Sequence, residues 1–333
     1  MSAGGRTMAD STGHGTATRA SRGPRPAGVV GMLALVLVVE LLVSQAVRLE
    51  SVGMAIWRAD RRSSECADAT SAEILCVGDS LVKTGVVPAA LEARLDRATY
   101  NLATVGNPTP ATYFLLRRAL AAGARPRAII LDAQSDKLSE RGYRACVAAW
   151  AGLVGPAEAV ELARSDGDPG FFGLYLIHHF LPSIRLRPEL RQAIVDHITP
   201  AGIEPTTHWP RVVARQERRN RGALLFPPLK AETVDGGNAS AAAGPAAAIA
   251  TPTNLSYLDR TLDLARSQGI WVFLVVTPMH PDLLRTRERL GLESPYLSLV
   301  HSASERYENV VVIDGRRVVE DGGVFLDSSQ HMD

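Results

Sequence analysis

The sequence is poor in cysteine, and it carries no excess of either charge. Its 333 residues include three cysteines, Cys66, Cys76 and Cys146. The count is odd and no CxxC or paired spacing occurs, so neither a disulfide framework nor a zinc site is indicated, although a single Cys66–Cys146 bridge stays open. Lysine and arginine number 36 against 35 acidic residues, a formal charge of +1. No broad field is available to hold polyphosphate, and no run of basic residues alternates with aromatics, so nucleic acid is not an expected partner. A Walker loop and a GxSxG elbow are also missing, which disfavours those two enzyme classes. What remains is ordinary globular material, 46% hydrophobic, in a chain long enough for one large domain.

The N-terminus is unlike the rest. Met1 to Pro26 is Gly-, Ser-, Thr- and Arg-rich with few large apolar residues, the composition of a disordered leader. GVVGMLALVLVVELLVSQAV, Gly28 to Val47, is then apolar for about the length that spans a bilayer, with Glu40 as its only charge. Arg6, Arg19, Arg22 and Arg25 precede it, so the positive-inside rule puts the leader in the cytoplasm and everything after the span outside it. A carboxyl inside a membrane helix needs a partner or a proton. A cleaved signal peptide is the rival reading, since the run before Glu40 has h-region length and Ser44-Gln45-Ala46 resembles a cleavage site. Either way the same domain is exported.

From residue 71 the pattern alternates. Glu73 to Val77, Thr99 to Ala103 and Ala128 to Leu131 read as short buried strands, separated by helices at Pro88 to Asp96 and Pro110 to Ala122. The rhythm breaks over 139–250, which is helical and irregular: an amphipathic stretch at Phe171 to Ile198, a basic segment at Arg211 to Arg221, and a low-complexity Gly/Ala/Ser/Asn piece at Asp235 to Ala250. It then resumes with a helix at Asn254 to Gln268, a strand at Ile270 to Val276, helices at Pro281 to Leu290 and Pro295 to Tyr307, and a fifth strand at Val310 to Ile313. The expected organisation is a leader (1–27), a transmembrane anchor (28–48) and one α/β domain (71–333) with a five-stranded parallel sheet and a helical insertion at about 139–250.

In a parallel sheet the carboxyl ends of the strands share one edge, where ligands bind. Here those ends are Gly78-Asp79-Ser80, Ala103 to Asn107, Asp132 to Asp136, Thr277 to His280 and Asp314-Gly315, and the final VFLDSSQHMD adds Asp327 and His331. A serine, a histidine, carboxylates, amides and glycines on one rim are the parts that acyl transfer needs.

At this point ILCVGDSL resembles the first block of the GDSL or SGNH hydrolases, whose nucleophilic serine follows Gly-Asp after the first strand. Gly106, in YNLATVGNPTP, falls where the second block supplies an oxyanion-hole amide, and Asp327 and His331 fall where the last block supplies acid and base. The resemblance covers Glu73 to Asp136 and Trp271 to Asp333. It implies a flavodoxin-like three-layer sandwich and an esterase or O-acyltransferase needing no metal or organic cofactor. Ser80 would be the nucleophile, His331 the base and Asp327 its orienting acid, with an oxyanion hole from Ser80, Gly106 and either Asn107 or Gln134. Membrane-anchored relatives that move acetyl groups on envelope polysaccharides share the layout, which implies an acyl ester or O-acylated carbohydrate as substrate and the lipid bilayer as partner.

Two departures stand out. The third block usually carries Gly-x-Asn-Asp, and here the segment is LDAQSDKL, Asp132 to Lys137 being its polar part. The final Asp precedes His by four residues instead of three, with Ser328 at the usual position, and the chain ends two residues later without a closing helix, as a fragment or an early terminus would. His280, in TPMHP, is a rival base. His178 and His179 are adjacent and point apart on a helix, so they read as structural, and Asp79 reads as a turn and amide-capping residue. A degenerate scaffold that binds an envelope glycan or assembles a complex without turnover is the alternative function.

Overall fold

The computed structural model describes residues 26–46, 66–140, 142–187, 190–191, 195, 209–225 and 250–318. Its centre is a five-stranded sheet. Ile74–Val77 (β1) is four apolar residues, all buried, as suits a strand covered on both faces. It pairs in parallel with Thr99–Asn101 (β2) on one side and Ala128–Asp132 (β3) on the other. Trp271–Val276 (β4) and Val310–Asp314 (β5) extend the sheet beyond β3, so the strand order is β2-β1-β3-β4-β5 and every pairing is parallel.

The period of two along the strands divides the sheet between two cores. Leu75, Val77, Ile129, Leu131, Val272 and Leu274 face one large core. That face is covered by Thr109–Ala121, Pro252–Ser267 and Glu293–Arg306. Phe114 of the first of these helices meets Tyr257 of the second edge-on at 5.5 Å. Cys76 and Ile130 face the opposite way, toward Val82 and Leu91 on Ser80–Gly85 and Pro88–Leu95. On that second face the outward positions of β4 and β5, Trp271, Val311 and Ile313, remain exposed.

With these ranges the helices are numbered α1 (Pro26–Ala46), α2 (Ser80–Gly85), α3 (Pro88–Leu95), α4 (Thr109–Ala121) and α5 (Ser135–Ser139). The insertion contributes α6 (Val147–Leu153), α7 (Pro156–Ser165), α8 (Pro169–Phe180), α9 (Pro182–Arg185) and α10 (Trp209–Arg219). Then follow α11 (Pro252–Ser267), α12 (Pro281–Arg289) and α13 (Glu293–Arg306). Proline opens many of them, where its missing N–H costs no helical bond.

The first part of the insertion shares the main core. Trp150 is wholly buried and meets Tyr143 and Phe171 edge-on at 5.6 and 6.3 Å. Its two ends meet at Asn254: the Thr251 N–H donates to the Leu138 carbonyl at 2.8 Å, and Asn254 Nδ2 lies 2.9–3.0 Å from the carbonyls of Lys137, Leu138 and Glu140. The Tyr143 hydroxyl donates to Asn254 Oδ1 at 2.7 Å. A long excursion therefore leaves and rejoins the sheet at one polar clasp.

The cysteine bridge left open by the sequence is not made. Cys66, Cys76 and Cys146 are not joined in a disulfide, two being buried and one exposed, and the Cys66 thiol faces the Leu115 carbonyl at 3.9 Å. Burial pushes the Cys76 thiol up to about 12, so it stays protonated and unreactive.

The apolar N-terminal run is one helix, α1, of 21 residues. Side chains are described at 28–40 and 42, and over the residues so described no helix is long and apolar enough to cross a membrane. Its valines and leucines over 29–39 and at 42 are exposed, whereas Glu40 is buried against α9 and accepts hydrogen bonds from the Ser183 N–H, at 2.9 Å, and from the Ser183 hydroxyl.

Candidate active site at the carboxyl edge

The sheet edge is built around Gly78, the residue after β1. Its φ of +143° is open to glycine and strained for other residues, and a Cβ there would sit 1.9 Å from Asp132 Oδ1. That close approach lets Asp79 stand beside Asp132. The Asp79 N–H donates to Asp132 Oδ1 at 3.2 Å, while Asp79 Oδ1 accepts the Leu81 N–H at 2.8 Å and so caps α2.

Ser80 is the first residue of α2. From Gly78 to Thr84 every other residue is buried, and Ser80 alone is half open. Its neighbours on the rim are the loops after β2 and β3, because those strands flank β1. The Gly78 carbonyl ties down the first loop by accepting from the Thr104 N–H at 3.1 Å and from Asn107 Nδ2 at 2.9 Å. Gly106, between them, is exposed with φ +66°. The second loop is held by Gln134, whose Nε2 donates to Asp79 Oδ1 at 2.8 Å and Asp132 Oδ2 at 3.1 Å.

The two side-chain amides expected to face an oxyanion are thus otherwise engaged. Asn107 spends one amide hydrogen on Gly78 and the other on Thr112 Oγ1 at 2.7 Å, and Gln134 spends both on the carboxyl pair. An amide with two hydrogens has none left over for a ligand. Both residues here fix the loops on either side of Ser80.

Burial, followed by the charge of Asp132 and a hydrogen bond to it, holds the Asp79 carboxyl well above its usual range. Asp132 is raised as well, chiefly by burial, with the bonds from Asp79 and Gln134 acting against it. Two carboxyls this close and this dry retain a proton between them.

His280 follows β4, two strands away from β1. Its Nδ1 accepts the Asp282 N–H at 3.2 Å and caps α12. His179 stacks on Tyr175 at 5.2 Å and meets its hydroxyl at 3.2 Å, a packing role. Among the described residues no three His, Cys, Asp or Glu side chains converge as a metal set. Asp327, Ser328 and His331 lie outside the described residues.

Two ionic groupings were not foreseen from the sequence. Lys83, on α2 one turn after Ser80 and 0% exposed, pairs with Glu217 of α10 at 2.9 Å. Nearby, Val213 of α10 and Leu224 pack on Val105, next to Gly106. At the other end of the rim Glu293 binds Arg287 at 2.5 Å and Arg316 at 2.7 Å, all three buried, and Arg316 also grips Asp314. Beside them a cavity of about 310 Å³ is lined by Met279, Leu284, Arg285, Glu288 and Arg316. No spacing in the sequence joins positions 83 and 217; only the invariably costly burial of an unpaired lysine would have prompted a search for its partner.

No family model matches this chain, and no curated protein is detectably similar to it.

Proposed function

We propose that the chain is an SGNH-type serine esterase or O-acyltransferase, tethered to a membrane by α1 with its α/β domain outside the cytoplasm. The observation that carries this is the position of Ser80: the one open residue of a buried turn, at the carboxyl end of β1. The order β2-β1-β3-β4-β5 is that of flavodoxin-like sandwiches, in which the ligand crevice opens between β1 and β3. Ser80 stands at that switch point.

Ser80 Oγ attacks the acyl carbonyl. His331 takes the serine proton and returns it to the leaving alkoxide, and Asp327 keeps the imidazole in the right tautomer. The backbone N–H groups of Ser80 and Gly106 stabilise the oxyanion, with Asn107 and Gln134 holding the loops from which they are presented. Reach supports this assignment. β5 is three strand spacings from β1, ~14 Å, whereas the thirteen residues that follow Val318 as far as His331 can extend up to about 45 Å. The substrate is an acyl ester, for instance an O-acylated envelope carbohydrate.

The commitment of both amides favours a second reading, a degenerate SGNH scaffold that binds glycan without turnover. A fluorophosphonate probe separates the two. The esterase reading expects labelling of the full chain in membranes, loss of the label and of p-nitrophenyl acetate hydrolysis in Ser80→Ala, and an unchanged melting temperature. Absence of label on wild type would leave the binding scaffold, and labelling that survives Ser80→Ala would move the nucleophile elsewhere.

A further inference from the structure

We propose that α8 and α9 form a second contact with the bilayer, lying in its outer leaflet beside α1. The inference rests on the anchor reading of α1 and gives a role to the amphipathic stretch that begins near Phe171.

The first ground is an apolar stripe with no cover among the described residues. α8, PGFFGLYLIHHF, buries Phe171 and Tyr175 toward the domain core. On the outward side Leu174, Ile177 and Phe180 follow at intervals of three, Phe180 being 66% exposed, and Ile184 of α9 continues the row. Large apolar side chains in a contiguous row mark a surface that leaves water.

Depth is the second ground. Glu40 bonds both donors of Ser183, and helices α1 and α9 pack together at that point. At 1.5 Å per residue Glu40 lies ~18 Å along α1 from Gly28 and only ~9 Å from Ala46. If α1 spans the bilayer, Ser183 sits at the level of Glu40, just inside the exit side. α9 and the end of α8 cannot then stay above the headgroups. The same bond answers the cost of a carboxyl in an apolar helix, since it is satisfied by an N–H and an O–H at the start of α9.

Charge supplies the third. From Pro169 to Pro188 the sequence has no acidic residue, and the end of the stripe carries Arg185, Arg187 and Arg191 against the single Glu189. Arginines at the edge of an apolar face reach up to anionic headgroups while their stems stay in the acyl region. α9 packs against α1, and over 28–40 and 42 the side chains of α1 are apolar apart from Glu40. A surface of that kind fits lipid.

The test uses the full chain with Cys146→Ser, which removes the exposed thiol and leaves Cys66 and Cys76 buried. Single cysteines at Ile177, Phe180, Val36 or the exposed Ser267 are labelled with an environment-sensitive fluorophore. The proteins are then reconstituted in vesicles of phosphatidylcholine and phosphatidylglycerol with brominated acyl chains. Labels at 177 and 180 should lose fluorescence to the bromines about as strongly as the label at 36, and the label at 267 should lose none. Labels at 177 and 180 that stay water-like, with 36 quenched, overturn this proposal and leave the anchor standing. A blue shift at 177 and 180 that depends on protein concentration and resists bromine would assign the stripe to a second copy and also overturn it. Quenching at 177 and 180 with none at 36 would sustain the contact and remove the span.

Discussion

Asp79 gives its backbone N–H to the Asp132 carboxylate at 3.2 Å, and the two acids share one dry site directly under Ser80. The Leu81 N–H and Gln134 Nε2 both donate to Asp79 Oδ1, which leaves Oδ2 to carry its proton. In the fold the carboxyl keeps this proton at a pH where the unfolded chain has already released it. Its stabilising effect is therefore complete in acid and is lost as pH rises from the ordinary aspartate range through the raised folded value.

Asp79→Asn imitates the protonated acid while retaining the acceptor that caps α2. Thermal melts should show the wild type losing more stability over that window than the variant, in which only Asp132 still titrates at this site. At alkaline pH the variant should melt higher, by about 2–4 °C per kcal/mol regained. Parallel curves for the two proteins would mean that no proton is held at this pair.

Gly78→Ala places a methyl into Asp132 at a φ that alanine resists. The expected cost is on the order of 3 kcal/mol, read as a lower urea midpoint at unchanged slope. A midpoint within error of wild type would show that the β1 turn relaxes freely.

Lys83→Met deletes one half of a buried ion pair and should destabilise by about 3–5 kcal/mol, whereas Lys83→Met with Glu217→Leu should recover most of that loss. Losses of Lys83→Met and Glu217→Leu that simply add in the double variant would show that the pair is not coupled.

For the proposed triad, His331→Ala should abolish ester turnover. Asp327→Asn should lower it by on the order of 10⁴ yet leave it above background, and Ser328→Ala should change it little. His280→Ala should keep turnover and lose about 1 kcal/mol or less of stability as a weak helix cap. An inactive His280→Ala beside an active His331→Ala would transfer the base to the loop after β4.

The strands and most helices were legible because each is a local pattern. Ile74 to Val77 is an apolar run closed by glycine, and Pro88, Pro281 and Asp79 announce helix starts in ways that need no tertiary information. The rim was legible for the same reason, since parallel strands bring their carboxyl ends together wherever they fall in the chain. Pairings at long range were not. Gln134 could be assigned to the rim, but its two acceptors depend on Asp132 standing against Gly78, a distance set by strand register. Lys83 with Glu217, Asn254 with the carbonyls of 137–140, and Glu40 with Ser183 join positions that no periodicity connects.

The Asn101 N–H of edge strand β2 is bonded to the carbonyl of Arg221, and the Leu224 N–H to the carbonyl of Lys83. Arg221 leaves the ribosome 120 residues after Asn101. At roughly 5–20 residues per second this interval is about 6–24 s, during which β2 can pair with β1 but its outer edge has nothing to close it. Bare strand edges invite pairing with other chains. During synthesis the vulnerable side of this protein is therefore the β2 edge, and slowing or crowding the ribosome between codons 101 and 221 should raise misassembly more than the same delay placed after 225.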